Sequence, residues 1–250
     1  MRNNKLHISN IGDSRAILCR KTSALTSSST IASSDSSDNR NRQKQQPKTI
    51  RTTIELTQDQ NPDLPAEKKR IERAGGYVSP SPEPGVSARV WINPTHTFLG
   101  LAMSRSVGDF FLKNSGVIVE PVVSTLDLNC KTCHDHRGSQ ASSNKSEKKN
   151  GENISNADYE DEFIVLASDG LWEYMDSEEV VELVGKALDE GLGASEACKK
   201  LIVTAAMRWK DFDYYYRDDI TAIVVKFDKL FDTSKKKKAA KDNHGDANRG

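Results

Sequence analysis

Residues 163–176, FIVLASDGLWEYMD, constrain this chain more than any other stretch. A short apolar run, rich in β-branched types and too brief for a free-standing helix, predicts a buried strand. Asp169 arrives where that strand ends, with Gly170 directly behind it. Glycine there relieves backbone crowding and lets the chain turn sharply, so the acid at the strand tip can face a ligand rather than solvent. Taken alone, Ser168-Asp169-Gly170 is more simply a plain strand-to-helix turn.

Three other stretches change that balance. Leu6 and Ile8 lead into a Gly12-Asp13 break, and Ala16, Ile17 and Leu18 begin another strand. Asp218 and Asp219 stand immediately before a β-rich run from Ile220 to Val225, and Ser104 to Asp109 ends in a further Gly-Asp pair. Asp13, Asp169 and Asp218 thus each lie where a strand meets a loop, and such positions can converge at one edge of a β-sandwich. Acids packed together without a counterion raise one another's pKa, so a shared site calls for a divalent cation. Hard oxygen ligands without a neighbouring His-Cys framework point to Mg²⁺ or Mn²⁺ rather than zinc.

In this order GDSR, SRSVGD, ASDGLW and RDDIT resemble the motifs of the metal-dependent protein serine/threonine phosphatases of type 2C. Residues 56–78, LTQDQNPDLPAEKKRIERAGGYV, resemble a further segment of that family. The resemblance implies an α/β sandwich (α+β), with two stacked antiparallel β-sheets flanked by helices. It also implies a two-metal centre whose bridging water, acidified by the cations, attacks a phosphoserine or phosphothreonine in line, with no covalent phosphoenzyme. By that resemblance Asp169 and Asp218 correspond to ligands of the binuclear centre, and Asp13, again with Asp169, to those of a third, looser ion. Asp219 stands where the family usually has Asn. Glu173 replaces the family's usual Asp, and its extra methylene shifts the carboxylate by roughly 1.5 Å, which leaves the third ion open. For Asp109 a turn-stabilising role and an indirect role at the metal edge both stand.

The family's phosphate-gripping Arg, and its DGHGG-like segment with the acid His, have no counterpart among these residues, so no catalytic residue is assigned. The resemblance spans residues 6–227 but only the C-terminal part of the family domain. The expectation is an N-terminally incomplete fragment, inactive alone and poorly soluble, because missing strands leave edges unpaired and apolar faces uncovered. The alternative is a non-catalytic phosphatase-like module that binds a partner through its flap and amphipathic helices.

The expected organisation is a partial phosphatase domain over residues 1–228, with disordered polar insertions at 20–48 and 129–158 and a disordered basic tail at 229–250. Thr53 to Leu56 is expected to pair with Ala16 to Cys19, and Val90 to Ile92 to form a strand in the flap. A helix is expected from Pro65 to the Gly75-Gly76 pair. A second follows a capping-box-like Asp176 and Glu179, and a third starts at Ser195. Cys198 is placed in the core, and the final run, Ile220 to Phe227, reads as a strand covered on both faces.

A balance of 36 basic and 36 acidic residues argues against nucleic acid or anionic membrane as partner. The expected partners are phosphoprotein substrates, the complete protein being monomeric. No apolar run reaches bilayer length and MRNNKLHISN lacks the apolar core of a signal peptide, so a cytoplasmic or nuclear location is expected. Four dispersed cysteines fit a reducing compartment. Cys130 to His134 matches the CxxCH pattern of haem attachment, and His136 extends it towards a zinc-like cluster. Its polar setting, without a second Cys pair, argues against both.

Overall fold

The computed structural model describes residues 5–23, 49–81, 87–128, 159–212 and 215–227. Its centre is a four-stranded antiparallel sheet ordered β3-β2-β7-β8, built from β2 (Arg15–Ser23), β3 (Thr49–Glu55), β7 (Tyr159–Ala167) and β8 (Ala222–Lys226). Alternation along these strands sends side chains to two faces. Ile17, Cys19, Phe163, Val165 and Ala167 pack against α3 (Ser177–Asp189) and α4 (Ala194–Phe212), through Val180, Val184, Leu201 and Ala205. On the other face Leu18, Ile164 and Phe227 meet Leu6, Leu126 and Leu128, under a two-stranded antiparallel sheet of β1 (Lys5–Asn10) and β6 (Val122–Asp127). Each large aliphatic side chain buried this way contributes about 1.5–3 kcal/mol. Stacked antiparallel sheets with a helical layer outside are the architecture that was expected.

A third cluster of Ile71, Val90, Leu112 and Val117 joins α1 (Pro65–Arg73) to a ribbon of β4 (Tyr77–Ser79) and β5 (Arg89–Trp91). The strand at Val90 was expected; its partner β4 was not, because a three-residue strand leaves too little alternation to recognise. The helix starts also follow expectation: Pro65 opens α1, and the Asp176 side chain accepts the Glu179 amide at 2.7 Å.

Three expectations are corrected. The first insertion does not begin at residue 20, because Arg20 to Ser23 extend β2 and pair with Thr49 to Thr52. Arg20 reaches the fully buried Asp161 carboxylate at 2.7 Å, and Lys21 the Glu162 carboxylate at 3.9 Å. The last strand is not covered on both faces: β8 lies at the sheet edge and Ile223 is 54% exposed. Cys198 is half-buried at the seam between α4 and β8, its thiol donating to the Ala222 carbonyl at 3.2 Å. Residues 24–48, the insertion at 129–158 with its CxxCH motif, and the tail at 229–250 lie outside the described residues. No described helix is long and apolar enough to cross a membrane.

Candidate functional site

Asp169 is the first residue of a short helix, α2 (Asp169–Trp172), at the tip of β7, and its side chain accepts the Gly170 amide at 2.9 Å. Gly170 is required by crowding: a Cβ there would sit 2.5 Å from the Asp219 carbonyl oxygen. The β7 tip and the Asp218-Asp219 loop therefore press against each other. Ser168 ties them, its hydroxyl donating to the Asp219 carbonyl at 3.0 Å and accepting from the Thr221 amide at 3.1 Å. From the helical side the Trp209 indole donates to the Gly170 carbonyl at 2.6 Å, and the Trp172 indole to the Ala167 carbonyl at 2.9 Å.

Asp13 follows Gly12, whose φ of 102° lies in the left-handed region that glycine accepts without strain. The buried Gln60 holds this turn: its side-chain oxygen accepts the Gly12 amide at 2.7 Å and its amide nitrogen donates to the Asn10 carbonyl at 3.0 Å. Ser104 holds Gln60 in turn, its amide donating to the Gln60 carbonyl at 2.7 Å.

These pieces surround a cleft of about 300 Å³ lined by Asp13, Asp59, Asp63, Asp169 and Glu173, with Ser81, Ser87 and Ala88 of the flap on one rim. Arg15 also lines it but is committed to one of these acids: it pairs with Asp59 at 2.7 Å, donates to the Ser177 hydroxyl at 3.2 Å and lies over the Trp172 ring. Burial, then the charge of Asp169, push the Asp13 carboxyl above its ordinary range. Burial, then Asp218, do the same to Asp169. Glu173 is raised by burial and then by Asp169, Asp218 and Asp13 in that order. Asp218 is not part of the cleft lining, yet its charge is felt by all three.

Among the described residues no three His, Cys, Asp or Glu side chains are gathered closely enough to hold a metal ion as they stand. The donor chemistry nevertheless suits a hard cation, since carboxylates in a partly desolvated cleft are destabilised in their charged form until a positive charge arrives. Asp109 belongs elsewhere: at φ 54° it precedes the 3₁₀ turn Phe110–Ser115 and binds the Ser106 hydroxyl, which fits the turn-stabilising reading. Sequence reasoning passed over Asp59, Asp63 and Gln60 as site residues. All three stand in the LTQDQNPDLP segment, whose density of polar groups between a strand and a helix was the available signal.

Stacked antiparallel sheets with an acid-lined cleft at their strand ends define the class: an α/β sandwich with helices outside and a carboxylate-rich site at its rim. The sequence model described as Protein phosphatase 2C matches residues 1–134 and 152–209, and the chain belongs to that family. It is 31% identical over 221 residues to the Arabidopsis thaliana protein named "Probable protein phosphatase 2C 72", covering 88% of this chain and 50% of that one. It is 36% identical over 207 residues to the Arabidopsis thaliana "Probable protein phosphatase 2C 1", covering 82% of this chain and 32% of that one. The chain thus spans half or less of the length of these relatives. The fold is similar to the crystal structure of serine-threonine phosphatase 2C from Toxoplasma gondii, with a TM-score of 0.57 and 20% identity over 90% of this chain and 55% of that one.

Proposed function

We propose that this chain carries the carboxylate side of a Mg²⁺- or Mn²⁺-dependent phosphatase domain acting on phosphoserine and phosphothreonine in proteins. The observation that carries this reading is the gathering of Asp13, Asp169 and Glu173 around one cleft, where burial raises each of them and Asp218 adds its charge. Asp169 and Asp218 would hold the principal cations, and Asp13 with Asp169 a further one. Bound there, the ions would supply acidified water and charge neutralisation at phosphorus. This chain's own residues set the stage. Gln60 holds the Asp13 turn, Ser168 joins the tips that bear Asp169 and Asp218, and Asp59 holds the Arg15 guanidinium so that it does not pair with Asp13, Asp169 or Glu173.

Calorimetric titration with MnCl₂ tests the reading. The 250-residue chain is expected to bind the ion, Asp169→Asn to lose most of that affinity, and a phosphothreonine peptide to stay intact, since no phosphate-gripping Arg or acid His motif is present. Turnover of the peptide would overturn the inactivity. Absence of Mn²⁺ binding would overturn the metal reading and favour the non-catalytic interaction module.

A further inference from the structure

Asp218 stands just outside the cleft lining, and an aromatic side chain with no part in the cleft holds it there. A carboxylate on an exposed loop turns through a broad range of side-chain angles, and few of them aim both oxygens usefully at a shared cation. Two contacts narrow that range. The Asp219 amide donates to Asp218 Oδ1 at 2.7 Å, and the Tyr216 hydroxyl is hydrogen-bonded to the same carboxylate. The charge of Asp218, with desolvation and that bond behind it, raises the Tyr216 phenol above its ordinary range. At neutral pH the hydroxyl therefore keeps its proton and is the donor.

Tyr216 is itself placed by its neighbours. Its ring meets Trp209 at 74°, centroids 5.7 Å apart, and Trp209 also takes Tyr174 edge-on at 4.7 Å. Trp209 is a buried hub, and its indole donates to the Gly170 carbonyl at 2.6 Å. One ring system thus touches both acid-bearing tips: the Asp169 turn through Gly170, and Asp218 through Tyr216. The gap between those tips is narrow, since a Cβ on Gly170 would lie 3.5 Å from the Asp218 Cβ. A small swing of Asp218 would change what the two acids can share. Tyr216 is 58% exposed, so its ring buries little apolar surface and loss of the hydroxyl alone should leave the fold intact.

We infer that Tyr216 is a positioning residue for Asp218: its hydroxyl and the Asp219 amide hold that carboxylate in one rotamer, and Trp209 fixes the ring that carries the hydroxyl. The role rests on the reading of Asp218 as a cation ligand under the proposed function. Tyr216 touches no substrate in this role and acts through Asp218 alone. Removing a group that orients a metal ligand from behind typically costs about 10–100-fold in metal affinity.

The test compares the unaltered 250-residue chain with Tyr216→Phe, which keeps the ring and removes the oxygen. In EDTA, the side-chain couplings of Asp218 measured by NMR should report one rotamer in the unaltered chain and an average in Tyr216→Phe, at an unchanged melting temperature. Calorimetric titration with MnCl₂ should find the affinity of Tyr216→Phe at least about tenfold weaker. Added to Asp218→Asn the same substitution should cost nothing more, whereas added to Asp13→Asn it should cost its full share. A merely structural tyrosine would lower the melting temperature and weaken binding alike in every background, and that result would overturn the inference. So would an Asp218 rotamer that stays single without the hydroxyl, or Mn²⁺ affinity that Tyr216→Phe leaves unchanged. Failure of the unaltered chain to bind Mn²⁺ would overturn the metal reading instead, and the couplings in EDTA would still decide whether Tyr216 sets Asp218.

Discussion

Two carboxylate sites in this chain show opposite electrostatics. Glu67 is 5% exposed and fully answered: Arg105 donates to both its oxygens at 2.6 and 3.0 Å, Arg70 at 2.7 Å and the Ser104 hydroxyl at 2.6 Å. Burial alone would raise its pKa, but the hydrogen bonds from Arg105, Ser104 and Arg70 prevail and hold it down at about 2. In the cleft Asp13, Asp169 and Glu173 are raised, and the one guanidinium among the lining residues is taken by Asp59. A carboxylate with its cations built in is scaffold, whereas a group left short of positive charge is a place for a ligand to supply it. The two sites are also joined, since Ser104 bonds both Glu67 and the Gln60 carbonyl, and Gln60 holds the turn that presents Asp13.

The contrast is broken most forcefully at the compensated site. Glu67→Ala should cost about 3 kcal/mol in urea unfolding, the low end for breaking a buried pair, because Arg70 and Arg105 keep part of their surface in water. Supplying the missing charge comes next. Mn²⁺ at a hundredfold excess over its dissociation constant should stabilise the chain by about 2.7 kcal/mol, and an unchanged melting temperature would contradict the cleft's role. Asp169→Asn should do the reverse of Glu67→Ala in EDTA, stabilising by about 0.5 kcal/mol once solvent screening is allowed for, while abolishing the Mn²⁺ gain.

Acidity sharpens the contrast with the smallest effect. The raised cleft acids destabilise the fold as they ionise, so their unfavourable share is absent below the ordinary carboxylate range and grows as pH rises through their folded values. In EDTA, lowering the pH from 7 to the ordinary carboxylate range near 4 should therefore recover roughly 0.3 kcal/mol from the cleft, with Mn²⁺ erasing the difference. Glu67 has the opposite sign: its contribution is complete above the ordinary glutamate value of 4.5 and disappears as pH falls towards about 2. Denaturation midpoints measured between pH 7 and pH 3 with and without Mn²⁺ separate the two.

What could be read beforehand was whatever the chain writes locally. The apolar run of β7, the Asp at its tip, the Asp176–Glu179 cap and the Gly12-Asp13 break all lie within a few neighbouring residues. Arg15 and Asp59 stand 44 residues apart, and Glu67 and Arg105 stand 38 apart. No spacing rule announces such pairs, so Glu67 reads from sequence only as favourable charge near a helix start. Edge position is equally non-local: β8 has the composition of a covered strand, and its exposure follows from its place in the sheet order.

The indole rings of Trp172 and Trp209 carry a practical corollary. Trp172 grips the Ala167 carbonyl two residues before Asp169, Trp209 the Gly170 carbonyl directly after it, and Arg15 lies 5.0 Å from the Trp172 ring. The β7 tip is thereby wired to two native fluorophores, and their emission would follow its rearrangement with no dye attached.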